Sequence, residues 1–321
     1  MNEQARNIQK RIRHGLIPAV PVPFNASGEI DGVAQEAYAR WMSEQPIAGV
    51  AVWVHTGRGL QLSHAQRKSV FASWRDAMPQ HVIIAGAGAD PKLNDHVQYI
   101  ESARAMAKEA AALGADAILA FAPTRFRDRP AKLRLEFVRE YHEAIAEAGL
   151  PLILFYLYEA AGGISYSDEE LADLFALESV LGIKMATLDS VMTFQRVAQL
   201  LRLHHPEQLL ITGEDRFLGY SLMLGAESAL IGMAAARTNM LSELLESYFN
   251  SDYPAFLKRN AAIDQFAQLT FTQPMEGYIQ RMLRILANDG IISQTSSHDP
   301  WGPKLSSDEL DSLAATLDSL K

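Results

Sequence analysis

The stretch "PLILFYLYEAAGGISYSDEELADLFALESVLGIKMATLDS", residues 151–190, contains the unit that decides the fold. Its first apolar run, Leu152–Tyr156, and its last, Leu181–Met185, each predict a short buried strand. Residues 168–177 between them have helical spacing, and Ser167 with Glu170 forms the S-x-x-E pattern of a capping box at the helix start. This order favours two parallel strands joined by a helical crossover.

The same alternation of strand and helix recurs along the whole chain. Further strands are predicted at Leu16–Phe24, Gly49–Val54, Val82–Ala87, Ala117–Phe121, Leu209–Thr212 and Ser228–Ile231. Further helices are predicted near 32–45, 64–78, 92–113, 130–148, 189–203, 215–224 and 238–250. Eight strand–helix pairs in this order predict an α/β fold, a closed (β/α)8 TIM barrel.

The barrel is assigned to residues 15–250. Residues 1–14 predict a frayed helical arm that covers one end of the domain. Residues 251–321 are too long and too helical for a tail, so they predict a C-terminal helical extension whose apolar faces pack on the barrel or on another subunit.

An open doubly wound sheet would also alternate strands and helices. Its dinucleotide fingerprint is absent, because "GAGADP" at 86–91 has a proline where the third glycine would stand. A tight turn after a strand explains this segment better than a nucleotide loop.

Composition excludes several classes of function. The net charge of −9 disfavours a nucleic-acid or anionic-membrane partner. The absence of cysteine removes thiol nucleophiles and thiolate metal sites, and it fits a cytoplasmic protein. The nine histidines are scattered without a carboxylate cluster, so we expect no metal. No apolar run approaches the ~20 residues of a spanning helix, and the N-terminus lacks a secretory apolar region.

Two ionisable side chains fall where strands end. Tyr156 and Lys184 close the fifth and sixth predicted strands, and barrel active sites lie at the carboxyl ends of strands. A lysine among apolar residues has a lowered pKa, and its neutral amine can attack a carbonyl to form a Schiff base. A neighbouring phenol can shuttle the protons. The alternative is a lysine that reaches solvent along its stem and a tyrosine at the core rim.

Seven segments in order resemble the dihydrodipicolinate synthase and N-acetylneuraminate lyase family of Schiff-base pyruvate aldolases. They are "GLIPAVPVPFNASGEID", "VHTGRGLQLSHAQR", "VIIAGAGAD", "GADAILAFAPTRF", "LILFY", "LGIKMATLD" and "LLITGEDRFLGYSLMLGAESALIGMAA". The resemblance implies a Schiff-base lysine at Lys184 and a proton-shuttling tyrosine at Tyr156. It also implies that Thr56 and Gly57 hold the substrate carboxylate and that Gly213 and Ile231 line the pocket.

Other positions depart from the family pattern. His55 replaces a hydroxyl residue that normally bonds the catalytic tyrosine, and we expect it to position Tyr156 or to act as an acid or base. Arg58 replaces an acidic residue. Arg125 stands in place of a tyrosine pair after the fourth strand, where it would grip an anionic substrate group or pair with nearby acids. Ala161 replaces the arginine that binds aspartate semialdehyde, so lysine biosynthesis is not expected.

The resemblance therefore implies a lyase that handles pyruvate or a related 2-oxo acid. Aldol cleavage, condensation and dehydration of a deoxy-keto-acid remain open, and Glu159 is either an acid–base for the second substrate or an ion-pair partner. No cofactor is expected, since the iminium is itself the electron sink. The family also implies a homo-oligomer, a tetramer or a dimer. The rival prediction is a non-catalytic barrel that binds a 2-oxo acid as a sensor or scaffold.

Overall fold

The computed structural model confirms the predicted TIM barrel. It describes residues 1–319, except for the side chains at 314 and 317–319, so residues 320–321 of the predicted extension lie outside the described residues. The strands β1–β8 are, in order, Leu16–Pro18, Gly49–Val52, Val82–Ala87, Ala117–Ala120, Leu152–Leu157, Val180–Ala186, Leu209–Thr212 and Ser228–Ile231.

All neighbouring strands in the sheet are parallel, in the order β1-β8-β7-β6-β5-β4-β3-β2. The two remaining edges, β1 and β2, meet through a bridge between Ala19 and Ala51. This bridge nearly closes the barrel, so the side chains of alternate residues are enclosed in its interior.

Each strand is followed by one helix of the outer ring. The helices α1–α12 are Glu3–Ile12, Gly32–Ser43, His64–Ala77, His96–Leu113, Ala131–Ala146, Asp168–Phe175, Val191–His204, Leu218–Met223, Thr238–Phe249, Tyr253–Thr270, Tyr278–Asn288 and Ser307–Ser319. Helices α2–α9 form the ring. The predicted capping box of Ser167 and Glu170 begins α6, where each side chain accepts a hydrogen bond from the other residue's backbone N–H.

The strands separate two apolar layers. In β5, Ile153, Phe155 and Leu157 belong to the barrel interior, whereas Leu154 and Tyr156 pack in the layer between strands and helices. This follows from the two-residue period of a strand, which sends successive side chains to opposite faces.

The N-terminal arm covers the amino end of the barrel, but it is not frayed. Helix α1 starts with an Asn2 side-chain cap and buries Ala5, Ile8 and Ile12 against the barrel interior. The Gln9 amide donates hydrogen bonds to the carbonyls of Leu181 and Glu207, at 3.0 and 2.7 Å. These contacts hold all three turns, which the polar composition of the segment did not reveal.

The C-terminal helices pack on the barrel, as predicted. Helix α10 lies against α9, and α11 buries Ile279, Met282 and Leu283 in the outer apolar layer. The first residue of α11, Tyr278, reaches the carboxyl end of the barrel.

Candidate active site

Lys184 points into the barrel from the carboxyl half of β6. Its residue is 5% exposed, and Nζ lies 4.4 Å from the centroid of the Phe155 ring on the paired position of β5. Burial lowers the pKa of Lys184 to about 8, and the negative charges of Asp215 and Glu214 partly oppose that shift. About a tenth of the amine is therefore uncharged at pH 7.

Two acidic residues follow β7 beside this lysine. Asp215 accepts a hydrogen bond from the Met233 backbone N–H at 2.7 Å, and Glu214 accepts from the backbone N–H groups of Thr187 and Leu188 at 2.7 and 2.8 Å. Burial raises the pKa of Asp215 to about 7, while the backbone N–H of Met233 and the charge of Lys184 oppose the rise. In its ionised form the Asp215 carboxylate is a counter-charge to the lysine inside the barrel.

A short turn after β2, His55–Gly57, forms the opposite wall. The Thr56 hydroxyl lies 2.9 Å from the hydroxyl of Tyr278, and His55 Nδ1 lies 3.2 Å from the same oxygen. His55 Nε2 lies 3.4 Å from the Glu276 carboxylate. Burial lowers the pKa of His55 to about 4 despite the opposing charge of Glu276, so the imidazole is neutral at pH 7.

These groups surround a small cavity of about 30 Å³. Lys184, Thr56, Phe155 and Tyr278 line it. A second cavity of about 340 Å³ lies outside it and shares His55 and Leu157 as lining residues. The inner cavity has the size of a small polar group, and the outer one offers space for the rest of a substrate.

Chemically, the arrangement combines a nucleophile with proton donors in a water-poor site. An uncharged amine, a buried carboxyl and a phenol held by two polar partners are the groups that carbonyl addition and dehydration require.

Comparison with known proteins identifies the family. The model of the Dihydrodipicolinate synthetase family matches residues 13–320. The chain belongs to this family. An N-acetylneuraminate lyase of Rattus norvegicus is 28% identical over 80% of this chain and 78% of its own length. A 4-hydroxy-tetrahydrodipicolinate synthase of Stenotrophomonas maltophilia is 26% identical over 84% and 86%. The structure of a catalytic-lysine mutant of Ruminococcus gnavus sialic acid aldolase superposes with a TM-score of 0.80, at 18% identity and with 97% of each chain covered.

Membership in the dihydrodipicolinate synthetase family makes this chain an enzyme of the lyase class. Members of the family are class I aldolases that use a lysine Schiff base and need no cofactor. In the described part of the chain, no group of three or more histidine or acidic residues is arranged to hold a metal ion. None of the described helices is long and apolar enough to cross a membrane.

The placement expected for Tyr156 is wrong. Its ring packs on Tyr166 in the layer beneath the helices, and its hydroxyl lies 3.5 Å from Arg196 Nη2, so it faces away from the barrel interior. Phe155 occupies the position beside Lys184. The predicted position is one residue too far along β5, and a shift of one residue along a strand moves the side chain to the opposite face of the sheet.

Of the other predicted residues, the structure brings together Lys184, His55, Thr56 and Gly213. A Cβ added at Gly213 would lie 2.5 Å from Lys184 Cε and 2.8 Å from the Met185 carbonyl oxygen, so the lysine stem uses the space that glycine leaves. This close approach explains why the residue after β7 is a glycine.

Three predicted binding residues lie off the inner cavity. The Gly57 N–H donates to the Val54 carbonyl at 2.9 Å, so the turn itself uses it. The Ile231 side chain packs in the outer layer, and the next residue, Gly232, lines the cavity instead. Arg125 lies beside Tyr99 and lines neither cavity.

The two residues with open roles contact other parts of the rim. Arg58 forms a bidentate pair with Asp299, with its Nη2 2.7 Å from the carboxylate, and its Nη1 lies 3.0 Å from Glu276. It therefore ties the turn after β2 to the C-terminal extension. Glu159 is exposed and accepts a hydrogen bond from Ser165 at 2.8 Å, so it lies outside both cavities.

Three residues of the site were not singled out from the sequence: Phe155, Asp215 and Tyr278. Asp215 had a usable signal, because it follows a buried strand just as Lys184 ends one. Tyr278 had none, since its position depends on how α11 packs across the barrel.

Proposed function

We propose that Lys184 forms an imine with pyruvate or a related 2-oxo acid. The observation that carries this proposal is a buried amine with a lowered pKa on the wall of a cavity that Thr56 also lines. The neutral amine adds to the keto carbon, and loss of water leaves an iminium. When the neighbouring carbon–carbon bond breaks, its electron pair moves into the iminium and gives an enamine, which accounts for aldol cleavage and, in reverse, condensation.

The carboxylate of the 2-oxo acid lies against the turn after β2 in this proposal. His55 and Thr56 are the residues of that turn that line the inner cavity, so the carboxylate is placed against them. Gly213 keeps the opposite side free for the lysine stem.

The outer cavity receives the aldehyde half of the substrate. Apolar lining comes from Leu60, Ala89, Pro91, Phe121, Leu157 and Ala160–Gly162, and the side chains of His55, Gln61, Tyr99 and Thr124 add polar groups. Its two charged residues, Arg58 and Glu276, already pair with each other at 3.0 Å. Two classes of aldehyde fit this lining: an aryl group would pack on the apolar side chains, and the hydroxyls of a sugar acid would find replacement hydrogen bonds from side chains such as Gln61 and Thr124. Dehydration of a deoxy-keto-acid is the second reaction that the same enamine chemistry allows.

Borohydride reduction in the presence of pyruvate, followed by peptide mass mapping, tests the imine. We expect a reduced pyruvate adduct on Lys184 and no adduct in Lys184→Arg, because a guanidinium is protonated at any practical pH. Wild-type protein that binds pyruvate without ever forming the adduct would support the sensor instead. Pyruvate release measured from aryl and sugar-acid aldol substrates then distinguishes the two classes of aldehyde.

The predicted homo-oligomer, tetramer or dimer, and the predicted cytoplasmic location stay predictions. Light scattering of the purified enzyme tests the first, and cell fractionation tests the second.

A further inference from the structure

The proposed imine chemistry needs a proton donor that β5 does not supply. Departure of hydroxide from the carbinolamine requires a proton, which enzymes deliver from a positioned side chain. The position beside Lys184 is Phe155, which has no proton to give, and Tyr156 faces the helix layer. Among the described residues that line the inner cavity, hydroxyls belong to Thr56, Tyr158 and Tyr278.

Tyr278 is the phenol that the structure fixes in place. Its ring stacks on Phe271 with centroids 4.5 Å apart, and it lies over Gly232, where an added Cβ would come within 2.8 Å of the ring. Its hydroxyl is held between Thr56 and His55 at 2.9 and 3.2 Å. Tyr158 differs, because its hydroxyl points to Glu276 at 3.4 Å and has no such second partner on the cavity wall.

The hydroxyl of Tyr278 is also connected to the surface. His55 joins it to Glu276, with Nε2 3.4 Å from a carboxylate whose side chain is 31% exposed. A proton on Nε2 faces the Glu276 carboxylate, and in this tautomer the lone pair of Nδ1 accepts a hydrogen bond from the phenol O–H. Thr56 then donates its own O–H to the phenol oxygen. The charged and titratable groups that face His55 are Tyr278, Glu276, Arg58, Lys184 and Asp299.

We infer that Tyr278, supplied by α11, is the catalytic phenol of this site and that it exchanges protons with solvent through His55 and Glu276. The inference rests on the proposed imine chemistry at Lys184. It makes His55 and Glu276 positioning and relay residues, and it makes the C-terminal extension part of the active site.

The proton balance of the step is complete with these groups. The phenol gives its proton to the carbinolamine oxygen, the carbon–oxygen bond breaks, and water leaves as the nitrogen lone pair forms the C=N bond. The resulting phenolate accepts the Thr56 hydrogen bond and removes a proton from C3 of the iminium. That C–H electron pair forms the C=C bond of the enamine, and the phenol is regenerated. Exchange of the phenol proton along His55 and Glu276 carries solvent protons to C3 in the reverse step.

Exchange of the pyruvate methyl protons in D2O, followed by NMR, measures this relay directly, and borohydride trapping is run in parallel. Tyr278→Phe keeps the stacked ring and removes the hydroxyl, so we expect the exchange rate to fall by about 10²–10⁴-fold. Tyr156→Phe is the matched control, because it removes a phenol from the outer layer of the same rim. Its exchange rate stays within about threefold of wild type if Tyr278 is the catalytic phenol.

Glu276→Gln provides a second test that does not depend on the fold of the Tyr278 variant. We expect kcat for exchange to fall by about tenfold or more with an unchanged KM for pyruvate, and Glu276→Asp to restore part of the rate. Glu159→Gln is its control, because Glu159 is an exposed carboxyl that lines neither cavity. If Glu276 had only a structural role, its substitution would change KM and thermal stability and would not lower kcat alone.

The outcomes separate the two proposals. Wild-type protein that neither traps pyruvate nor exchanges its methyl protons would overturn the imine and the relay together. Trapping in wild type, with exchange in folded Tyr278→Phe equal to wild type or with a larger loss in Tyr156→Phe, would overturn the relay alone. If Tyr278→Phe does not fold, an exchange rate in Glu276→Gln equal to that of Glu159→Gln overturns it.

Discussion

At the amino end of the barrel, α1 lies across the strands and buries Ala5, Ile8 and Ile12, whereas the carboxyl end encloses Lys184 and Asp215. The amino end is closed by apolar contacts, whereas the carboxyl end buries ionisable groups beneath a cavity. The polar group that α1 does bury, the Gln9 amide, is satisfied by two backbone carbonyls. The difference indicates that the two ends have different functions. The amino end stabilises the barrel, and the carboxyl end shifts the pKa values of ionisable groups away from their values in water.

The largest effect is expected from a change at the amino end. Ile12→Ala removes a fully buried side chain from the barrel interior and leaves a cavity, so the free energy of unfolding should fall by about 2–5 kcal/mol. Urea denaturation measures it, with Lys10→Ala on the exposed face of α1 as the control. If the ends are separate in function, the rate of pyruvate trapping at 25 °C stays close to wild type. A loss of trapping in the folded variant would show that the amino end also affects the chemistry at the carboxyl end.

The pH dependence of trapping is the next largest effect. Because the pKa of Lys184 is lowered to about 8, the fraction of the lysine that is uncharged rises tenfold per pH unit up to that value and then levels off. The initial trapping rate at pH 6 should therefore be about 100-fold below its plateau. An exposed lysine would behave differently, since its rate would continue to rise to about pH 10. A profile that keeps rising above pH 9 would contradict the burial argument for this end of the barrel.

The sequence predicts a site residue at the carboxyl end of the barrel only where that residue lies on or directly after a strand that can be recognised. Lys184 and Gly213 were located because each lies within or just after a buried strand. Tyr156 was misplaced because an apolar run such as "LILFYLY" contains aromatic residues on both faces, and the run alone does not fix which face is inside. The register with β6 settles it, and that register shifts between Leu152 and Ile153.

The contribution of the C-terminal extension could not be predicted in the same way. Tyr278 and Glu276 reach the cavity from a helix and a turn that belong to no barrel strand, and helical periodicity shows which face is apolar but not what it covers. His55 and Arg58 looked like departures from a family pattern. The structure explains them as partners of this extension, since each contacts Glu276.

A smaller effect is expected at Gly213. In Gly213→Ala the added Cβ meets Lys184 Cε and the Met185 carbonyl, so the lysine stem must move. A misplacement of about 1 Å lowers a rate by up to about 10²-fold. We therefore expect pyruvate to be trapped about 10- to 100-fold more slowly in this variant. Gly32→Ala is the matched control, because nothing lies within 4 Å of a Cβ at that helix start. Equal trapping in both variants would mean that the lysine tolerates crowding and that the site is less rigid than the contacts indicate.

The smallest effect is expected when one arginine at each end of the barrel is replaced by lysine. Arg58 is nearly buried and binds Asp299 with two nitrogens, while Arg13 at the amino end pairs with Glu227 in an exposed position. Lysine cannot reproduce the planar fork of a guanidinium, so Arg58→Lys should lower the free energy of unfolding by about 1 kcal/mol. Arg13→Lys should change it by less than about 0.5 kcal/mol, because an exposed pair gains little in water. The two variants differ in burial and not in chemistry, so urea midpoints measured side by side test whether the carboxyl end depends on its ion pairs. Equal losses in both would indicate that the contact between Arg58 and Asp299 stabilises the extension no more than a surface pair does.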